Sequence, residues 1–298
     1  MGQRNPALDY MNDPGGADLT LVVLAAGRAK RYGGCKPLAP VGPHGEAVID
    51  LVASDGLGAG FSSVVLVLGP STGPAVRYHV ERTWPDAVDV RFALQPEPRG
   101  TVDAVLSAAE YIGDSPYGVC NADDVYGIAG CTLLAQHLRA NGEDNALVGY
   151  RLADAIVGFS PVTRGICRVD PNGRLLGVDE RRQVSALPEG GFVAADGREP
   201  ATLPGDARVS MNLWGFTPDF HKVLQSALDA AVDASEEKEV LLPVVVAESL
   251  GTSSFAVLPA EGRCVGVTHP DDLALVQAEL NRQVASGERP ARLWPSLG

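Results

Sequence analysis

The sequence predicts an α/β protein with a Rossmann-like, mostly parallel sheet flanked by helices, and a more elaborate mixed β region in its second half. In the first 150 residues, short apolar runs rich in β-branched side chains alternate with helical stretches. This alternation is typical of parallel strands that helices cover on both faces. After about residue 150 the pattern changes to hairpins and to stretches rich in glycine and proline. We expect ligands at the carboxyl ends of the parallel strands.

Each element follows from a local pattern of apolar and turn-forming residues. In the first half, the predicted strands are 19–26, 63–68, 88–94 and 117–121, and the predicted helices are 47–56, 73–83, 101–111 and 133–141. In the second half, the predicted strands are 166–169 and 175–178 (a hairpin), 209–216, 255–258 and 264–267, and the predicted helices are 217–234, 239–250 and 270–284. The segment 183–204 is expected to be a loop or an extended lid.

These elements imply one domain over 19–284, with a first half at 19–150 and a second half at 151–284. The polar residues 1–18 lack the apolar core of a signal peptide and are predicted to be a flexible leader. Residues 285–298 are predicted to be a tail.

Composition limits the classes of function. The 298 residues include 24 Lys and Arg against 37 Asp and Glu, which gives a formal charge of −13. An acidic protein offers no broad basic face, so we expect no nucleic-acid partner, although a few cations suffice to bind a phosphate ligand. The longest apolar runs are too short to cross a bilayer, so we expect no membrane partner. The five cysteines form no C-x-x-C pair, which favours reduced thiols in a cytoplasmic protein.

A glycine-containing turn with nearby cations follows the first predicted strand. The run LAAGRAKRYGGCKPL at 24–38 places Arg28, Lys30, Arg31 and Lys36 within nine residues of an otherwise acidic chain. Backbone N–H groups at such a strand end can hold phosphate oxygens. The pattern is neither a Walker A loop nor a dinucleotide G-x-G-x-x-G motif. The alternative is a solvated basic loop.

Two adjacent carboxylates, Asp123 and Asp124, follow the fourth predicted strand. Neighbouring carboxylates repel each other unless a cation lies between them, and hard divalent cations prefer oxygen ligands. The pair therefore favours a divalent-cation site at this strand end. Asp124 is either a supporting group behind it or a cap for the following turn.

The run at 24–42 resembles the signature of the sugar-1-phosphate nucleotidylyltransferase family, L-A-A-G-x-G-x-R-(x)n-K-P-L-x-P-V, with Ala29 in place of the second glycine. The resemblance implies that Ala26 and Gly27 contact the triphosphate. It further implies that Arg31 binds phosphate oxygens and that Lys36 bridges the reacting phosphates.

Two further runs carry the resemblance. The run QPEPRGTVDAV at 95–105 resembles the family's Q-x-x-x-x-G-T-A-x-A-V, which implies that Gln95, Gly100 and Thr101 bind the nucleotide. Thr101 is also a good N-cap for a helix. The family carries an aspartate that holds the catalytic Mg²⁺ at the position of Asp123.

In the second half, the family's order of motifs implies that Gly165, Glu180 and Asn212 bind the hydroxyls of the sugar phosphate. The alternative for Gly165 is a turn, and the alternative for Glu180 is a surface charge paired with Arg181. A second metal ligand falls near Thr268, Asp271 or Asp272, and it stays open because T-H-P-D is also a good helix start.

The resemblance implies a magnesium-dependent enzyme that joins an NTP and a sugar 1-phosphate into an NDP-sugar and pyrophosphate. Three alternatives share its first motif or fold. They are a cytidylyltransferase acting on an alcohol phosphate, a guanylyltransferase acting on molybdopterin, and a sugar-nucleotide-binding regulator without turnover. The base, the sugar and the oligomeric state stay open, and a homo-oligomer is compatible with the sequence.

Overall fold

The computed structural model describes residues 18–27, 34–140, 144–158, 160–233, 239–267 and 270–294. The predicted leader lies outside these ranges except for Asp18. Within them, none of the helices has the length and apolar character that crossing a bilayer would require.

Four parallel strands form the first half of the central sheet, in the order β4–β1–β2–β3. Their bounds are β1 (Thr20–Ala25), β2 (Ser63–Leu68), β3 (Val90–Leu94) and β4 (Tyr117–Asn121). The helices that connect them are α1 (Val48–Gly58), α2 (Gly73–Thr83), α3 (Thr101–Leu106), α4 (Ala109–Ile112) and α5 (Ile128–Ala140). The predicted helix 101–111 is divided in two at Ser107 and Ala108, where the N–H of Ala108 donates to the carbonyl of Val105, three residues back, at 3.0 Å and the backbone of Ala108 leaves the helical region with φ −94° and ψ 1°.

The second half extends the same sheet with mostly antiparallel strands. These are β6 (Asn145–Arg151), β7 (Val162–Val169), β8 (Leu175–Ala186), β9 (Phe192–Ala194), β10 (Thr202–Leu203), β11 (Arg208–Phe216) and β12 (Phe255–Pro259). The remaining elements are β5 (Asp124–Val125), β13 (Val265–Gly266), α6 (Pro218–Asp233), α7 (Leu242–Ser249) and α8 (Leu273–Ala285). Strand β11 pairs with β4, β6 and β7, so it joins the two halves into one mixed sheet.

The structure corrects three of the predictions. Strand β6 was not predicted; it pairs in parallel with β12 and antiparallel with β11. The segment 183–204 is not only a loop, because β8 continues to Ala186 and β9 and β10 pair beyond it. The predicted helix 239–250 begins at Leu242, with Pro243 in its first turn as expected.

Aromatic side chains fill the core where the two halves meet. Trp214 and Phe216 stack in parallel at 6.2 Å, and Phe255 meets both rings edge-on. On the opposite side of the molecule, Arg289 donates two hydrogen bonds of 2.7 Å to the buried carboxylate of Asp55 in α1. The chain after α8 is therefore packed against the domain at least as far as this ion pair.

Candidate active site

A cavity of about 640 Å³ opens beyond the end of β4, between the strands β7, β8 and β11 on one side and α7 on the other. This volume is in the range of small-molecule sites. Five of the residues that the sequence analysis selected line it: Lys36, Asp123, Gly165, Glu180 and Asn212. Residues far apart in the sequence thus meet at one cavity.

A second cavity of about 140 Å³ lies at the end of β1 and shares Lys36 and Asp123 with the larger one. Its wall includes Ala25 and Gly27, from the turn at which phosphate binding is predicted. The two cavities therefore meet at Lys36 and Asp123.

The amine Nζ of Lys36 lies 3.6 Å from Oδ2 of Asp123. Lys36 opens a short 3-10 turn, Lys36–Leu38, in which the N–H of Ala39 donates to the Lys36 carbonyl at 2.9 Å. Pro37 fixes the backbone of this turn. The turn directs the lysine across the gap between the ends of β1 and β4, where its cation faces the Asp123 carboxylate.

Asp124 lies on the floor of the larger cavity, beside Asp123. Its Oδ2 accepts a 3.4 Å bond from the side chain of Asn121, and a Cβ on Gly266 would overlap its carboxylate. Burial, and then the negative charge of Asp123, raise the pKa of Asp124 to about 7. Two carboxylates therefore face the cavity side by side, and the structure favours a supporting site group over a simple turn cap for Asp124.

Arg164 provides a second cation on the cavity wall. Its guanidinium donates to the carbonyl of Ala155 at 2.7 Å and to that of Thr163 at 2.8 Å. Burial lowers the pKa of Arg164, while the nearby Asp124 carboxylate opposes this effect. Arg164 is not among the residues predicted from the sequence, because an arginine next to a glycine in a hairpin is not distinctive.

Gly165 and Glu180 face each other across neighbouring strands. Gly165 of β7 is in register with Glu180 of β8 and with Ser210 of β11. Gly165 is in the interior of a strand and not in a turn, and a Cβ there would come within 2.6 Å of the Val178 side chain. The absence of a side chain makes room for Val178, and Gly165 lines the cavity with its backbone.

The predicted alternative for Glu180, an ion pair with Arg181, is wrong, because the partner of Glu180 is Arg182. Glu180 is 2.8 Å from Arg182, and both side chains are exposed. Arg181 points to the other face and binds the buried carboxylate of Asp196 at 2.8 Å. This exposed pair leaves the Glu180 carboxylate accessible from the cavity.

Asn212 lies in an irregularity of β11, between Ser210 and Trp214, where the pairing with β6 shifts register. Its φ is +60°, a left-handed conformation that asparagine tolerates better than most residues. The side-chain oxygen of Asn212 accepts a 3.4 Å bond from the indole of Trp214. The irregularity turns Asn212 towards the cavity, and the indole holds its amide in place.

Of the predicted nucleotide-binding residues, Gly27 lines the second cavity, whereas Ala26, Gln95, Gly100 and Thr101 line neither cavity. The amide nitrogen of Gln95 donates to the Gly100 carbonyl at 2.9 Å and to the Asp103 carboxylate at 2.8 Å. The residue at the N-cap of α3 is Gly100, not Thr101 as predicted. The Thr101 hydroxyl instead accepts the N–H of Leu242 at 2.7 Å.

Gly100 lets two segments approach closely. Its φ is +102°, and a Cβ there would lie 2.6 Å from the backbone nitrogen of Val240. The N–H of Val240 donates to Arg99 at 2.8 Å, and its carbonyl accepts from Val102 at 3.1 Å. The predicted nucleotide loop is therefore bonded directly to the segment that leads into α7.

The contribution of α7 and of the residue before it to the cavity was not predicted from the sequence. The residues of this segment that line the cavity are Leu241, Pro243, Val244, Ala247 and Glu248. The signal that could have identified this face is the helical spacing of 241, 244, 247 and 248, opposite a face that is buried in the core.

Several predicted residues are not in the described site. Arg31, together with Arg28, Lys30 and Thr268, falls outside the described residues. Asp271 and Asp272 lie before α8 and line neither of the two cavities. Across the described ranges, His, Cys, Asp and Glu side chains form no group of three or more that could hold a metal ion.

This chain is similar in sequence to known nucleotidyltransferases. Residues 21–161 match the model of the MobA-like NTP transferase domain. The bifunctional protein GlmU of Sorangium cellulosum (strain So ce56) is 26% identical over 273 residues, which are 90% of this chain and 53% of that protein. The glucose-1-phosphate thymidylyltransferase of Mycolicibacterium smegmatis (strain ATCC 700084 / mc(2)155) is 25% identical over 166 residues, 54% of each chain.

The chain thus spans about half the length of the curated relatives that it matches. Among solved structures, the UDP-glucose pyrophosphorylase from Acinetobacter baumanii superimposes with a TM-score of 0.64 at 14% identity. The superposition covers 90% of this chain and 94% of that one, and it confirms the predicted fold.

Proposed function

We propose that this chain, whose residues 21–161 match the MobA-like NTP transferase domain, transfers a nucleotidyl group from an NTP to a sugar 1-phosphate. The observation that carries the proposal is the meeting of the two cavities at Lys36 and Asp123. One cavity begins at the turn after β1, and the other is lined by Gly165, Glu180 and Asn212. An NTP phosphate and a sugar phosphate would meet where the cavities join.

In the proposed reaction, an oxygen of the sugar phosphate attacks the α-phosphorus of the NTP in line, and the bond to pyrophosphate breaks. The attacking oxygen is already anionic, so the protein needs no covalent nucleophile. Lys36 neutralises charge on the phosphate oxygens at the junction, and the β1 turn orients the triphosphate through its backbone N–H groups. The rate enhancement then comes from positioning and electrostatics.

The residues at the junction fit a divalent cation. Asp123 and Asp124 present adjacent carboxylates to the cavity, and magnesium is commonly held by one or two carboxylates with substrate phosphates completing its shell. We assign Asp123 as its principal protein ligand. When bound, the cation would supply charge neutralisation to the phosphates.

The sugar side of the proposal rests on the second half of the chain. Gly165 exposes backbone, Glu180 offers carboxylate oxygens, and Asn212 offers an amide, and together they form one wall of the cavity. Groups of this kind form hydrogen bonds with hydroxyls. They lie outside the region that matches the NTP transferase model, as expected for an acceptor site added to a nucleotide-binding half.

The test is pyrophosphate release from a panel of NTPs, each combined with several hexose 1-phosphates, an alcohol phosphate and molybdopterin, with and without Mg²⁺. We expect release that depends on a sugar 1-phosphate and on the cation. Turnover only with the alcohol phosphate or with molybdopterin would replace the proposal by one of the alternatives. Binding of NDP-sugars without any turnover would identify a regulator.

A further inference from the structure

Among the residues that the structure describes, the lysine and arginine side chains that line the larger cavity are Lys36 and Arg164. Lys36 also lines the smaller cavity, and its amine lies 3.6 Å from the Asp123 carboxylate. Arg164 lines the larger cavity alone. An anion in the larger cavity therefore has one cation that is shared with the smaller cavity and paired with a carboxylate, and a second cation that is neither.

The backbone holds the Arg164 guanidinium without neutralising it. Nε and Nη2 donate to the Ala155 carbonyl at 3.1 and 2.7 Å, and Nη1 donates to the Thr163 carbonyl at 2.8 Å. Both acceptors are uncharged, and within the described ranges no carboxylate forms an ion pair with Arg164. Each terminal nitrogen carries a second N–H that these bonds do not use. The guanidinium is thus fixed in place with its charge and two donors available to a ligand.

The position of Arg164 relates it to both ends of the proposed acceptor site. At the inner end, its charge attracts the Asp124 carboxylate at a longer range than an ion pair. The next residue of β7, Gly165, belongs to the wall assigned to the sugar. A sugar 1-phosphate on this wall would turn its dianionic phosphate towards the inner end, where Asp123 and Asp124 would repel it. A second cation beside Lys36 offsets this repulsion, and a guanidinium binds phosphate oxygens through paired N–H groups.

We propose that Arg164 binds the phosphate of the sugar 1-phosphate, together with Lys36. This inference rests on the proposed function. It gives the two cations different roles, because Lys36 serves both substrates where the cavities meet, whereas Arg164 serves only the acceptor. The alternative is a structural cation that balances the charge of Asp124.

The test measures the initial rate of pyrophosphate release in Arg164→Gln, with each substrate varied at saturating amounts of the other. Glutamine removes the charge but can still donate to a backbone carbonyl. We expect the KM for the sugar 1-phosphate to rise about tenfold or more, and the KM for NTP to stay within about twofold. Arg164→Lys keeps a cation without the paired donors, so its KM for the sugar 1-phosphate should rise about threefold, less than in Arg164→Gln.

The matched control is Arg168→Gln on the same strand. Arg168 is exposed, pairs with Asp179 at 2.9 Å and lines neither cavity. This variant should leave both KM values unchanged. The Mg²⁺ concentration for half-maximal activity, measured in every variant, reports on the alternative role beside Asp124.

A KM for the sugar 1-phosphate that stays at the wild-type value in folded Arg164→Gln would overturn this inference, and Arg164→Lys is judged in the same way if the glutamine variant does not fold. Equal losses in the two variants, an equal rise in the KM for NTP, or a change confined to the Mg²⁺ requirement would also overturn it, in favour of a structural role. Turnover of a sugar 1-phosphate by the wild type would leave the proposed function intact in all these cases. If the wild type turns over no sugar 1-phosphate, the proposed function fails and this inference fails with it.

Discussion

The hydroxyl of Tyr126 donates a 2.9 Å hydrogen bond to the carbonyl of Met211. The same oxygen accepts the N–H of Asn121 at 3.0 Å. It therefore connects the end of β4, next to Asp123, to the irregular part of β11, next to Asn212. A single buried phenol sets the distance between the proposed metal ligand and one of the proposed sugar ligands.

Tyr126→Phe should destabilise the protein and reduce activity together. Loss of the hydroxyl leaves the Asn121 N–H and the Met211 carbonyl unpaired, at a cost of roughly 2 to 4 kcal/mol for the two groups. Denaturant unfolding measures this cost. Tyr111→Phe is the control, because that hydroxyl binds the exposed side chain of Glu110 and lies 3.4 Å from the Phe92 carbonyl, so its loss leaves no buried N–H unpaired. Equal losses in the two variants would contradict the role given to Tyr126.

Lys36→Ala should abolish most turnover and leave the fold intact. Loss of one charge-assisted contact in the transition state costs roughly 3 kcal/mol, which is on the order of 100-fold in rate. Steady-state kinetics of pyrophosphate release measures it, with Lys222→Ala as the control, since Lys222 is exposed and pairs only locally with Asp219. A change in kcat/KM below about threefold would refute the assignment of Lys36.

Asp123→Asn should raise the Mg²⁺ concentration required for half-maximal activity, because an amide keeps the shape but loses the charge that holds the cation. The melting temperature without ligands should change little, since Asp123 is partly exposed. Asp124→Asn should have the milder effect on the Mg²⁺ titration, because Asp124 packs against Gly266 and lies deeper in the floor. The reverse order would show that the wrong aspartate was assigned.

Glu180→Gln and Asn212→Gly should act on the sugar phosphate and not on the nucleotide. Glycine at 212 removes the amide yet accommodates the φ of +60°, so it separates binding from backbone strain. Loss of one hydroxyl contact costs about 1–3 kcal/mol, seen as a tenfold or larger change in KM or kcat for the sugar phosphate. Calorimetric affinity for NTP alone should stay within about twofold. Impaired NTP binding with normal sugar-phosphate kinetics would reverse the roles of the two halves.

Glu279→Gln should lower stability at pH 7 more than at acid pH. The hydrogen bond from Arg282, with help from Gln283 and Arg263, holds the pKa of Glu279 below its usual range. Ionised Glu279 therefore stabilises the fold above about pH 4, and this contribution is lost as the pH falls through the lowered pKa. Thermal unfolding at several pH values checks this. The more exposed Glu288, which also binds Arg282, provides the control Glu288→Gln, and a control effect of equal size would contradict the prediction.

The sequence was sufficient for the parallel half of the fold and for the strand ends that carry Gly27 and Asp123. Each strand there is a short run rich in β-branched residues that ends in a polar turn. The local sequence pattern therefore favours the same strand that the packed fold requires. Strand β6 escaped detection because its register is set by β11 and β12, which are distant in sequence. The division of the helix follows from the non-helical backbone of Ala108, which periodicity does not reveal.

A site residue could be predicted from the sequence only where its residue type and its place in a motif indicate a role. Lys36, Asp123, Gly165, Glu180 and Asn212 were selected by motif and order, and the fold brings them to one cavity. The aliphatic wall of α7 carries no such signal, since its residues are those of any packed helix. Only the tertiary structure reveals that the exposed face of α7 lines the cavity.

The contact between Gly100 and Val240 couples two segments that belong to different parts of the proposed site. Three hydrogen bonds join the loop that is predicted to bind the nucleobase to the segment that leads into α7. On the loop side they involve Arg99, Thr101 and Val102. A replacement that lengthens or shifts either segment must displace the other. Exchange of base preference by grafting a loop from a relative should therefore change the choice of sugar as well, unless the α7 segment is transplanted with it.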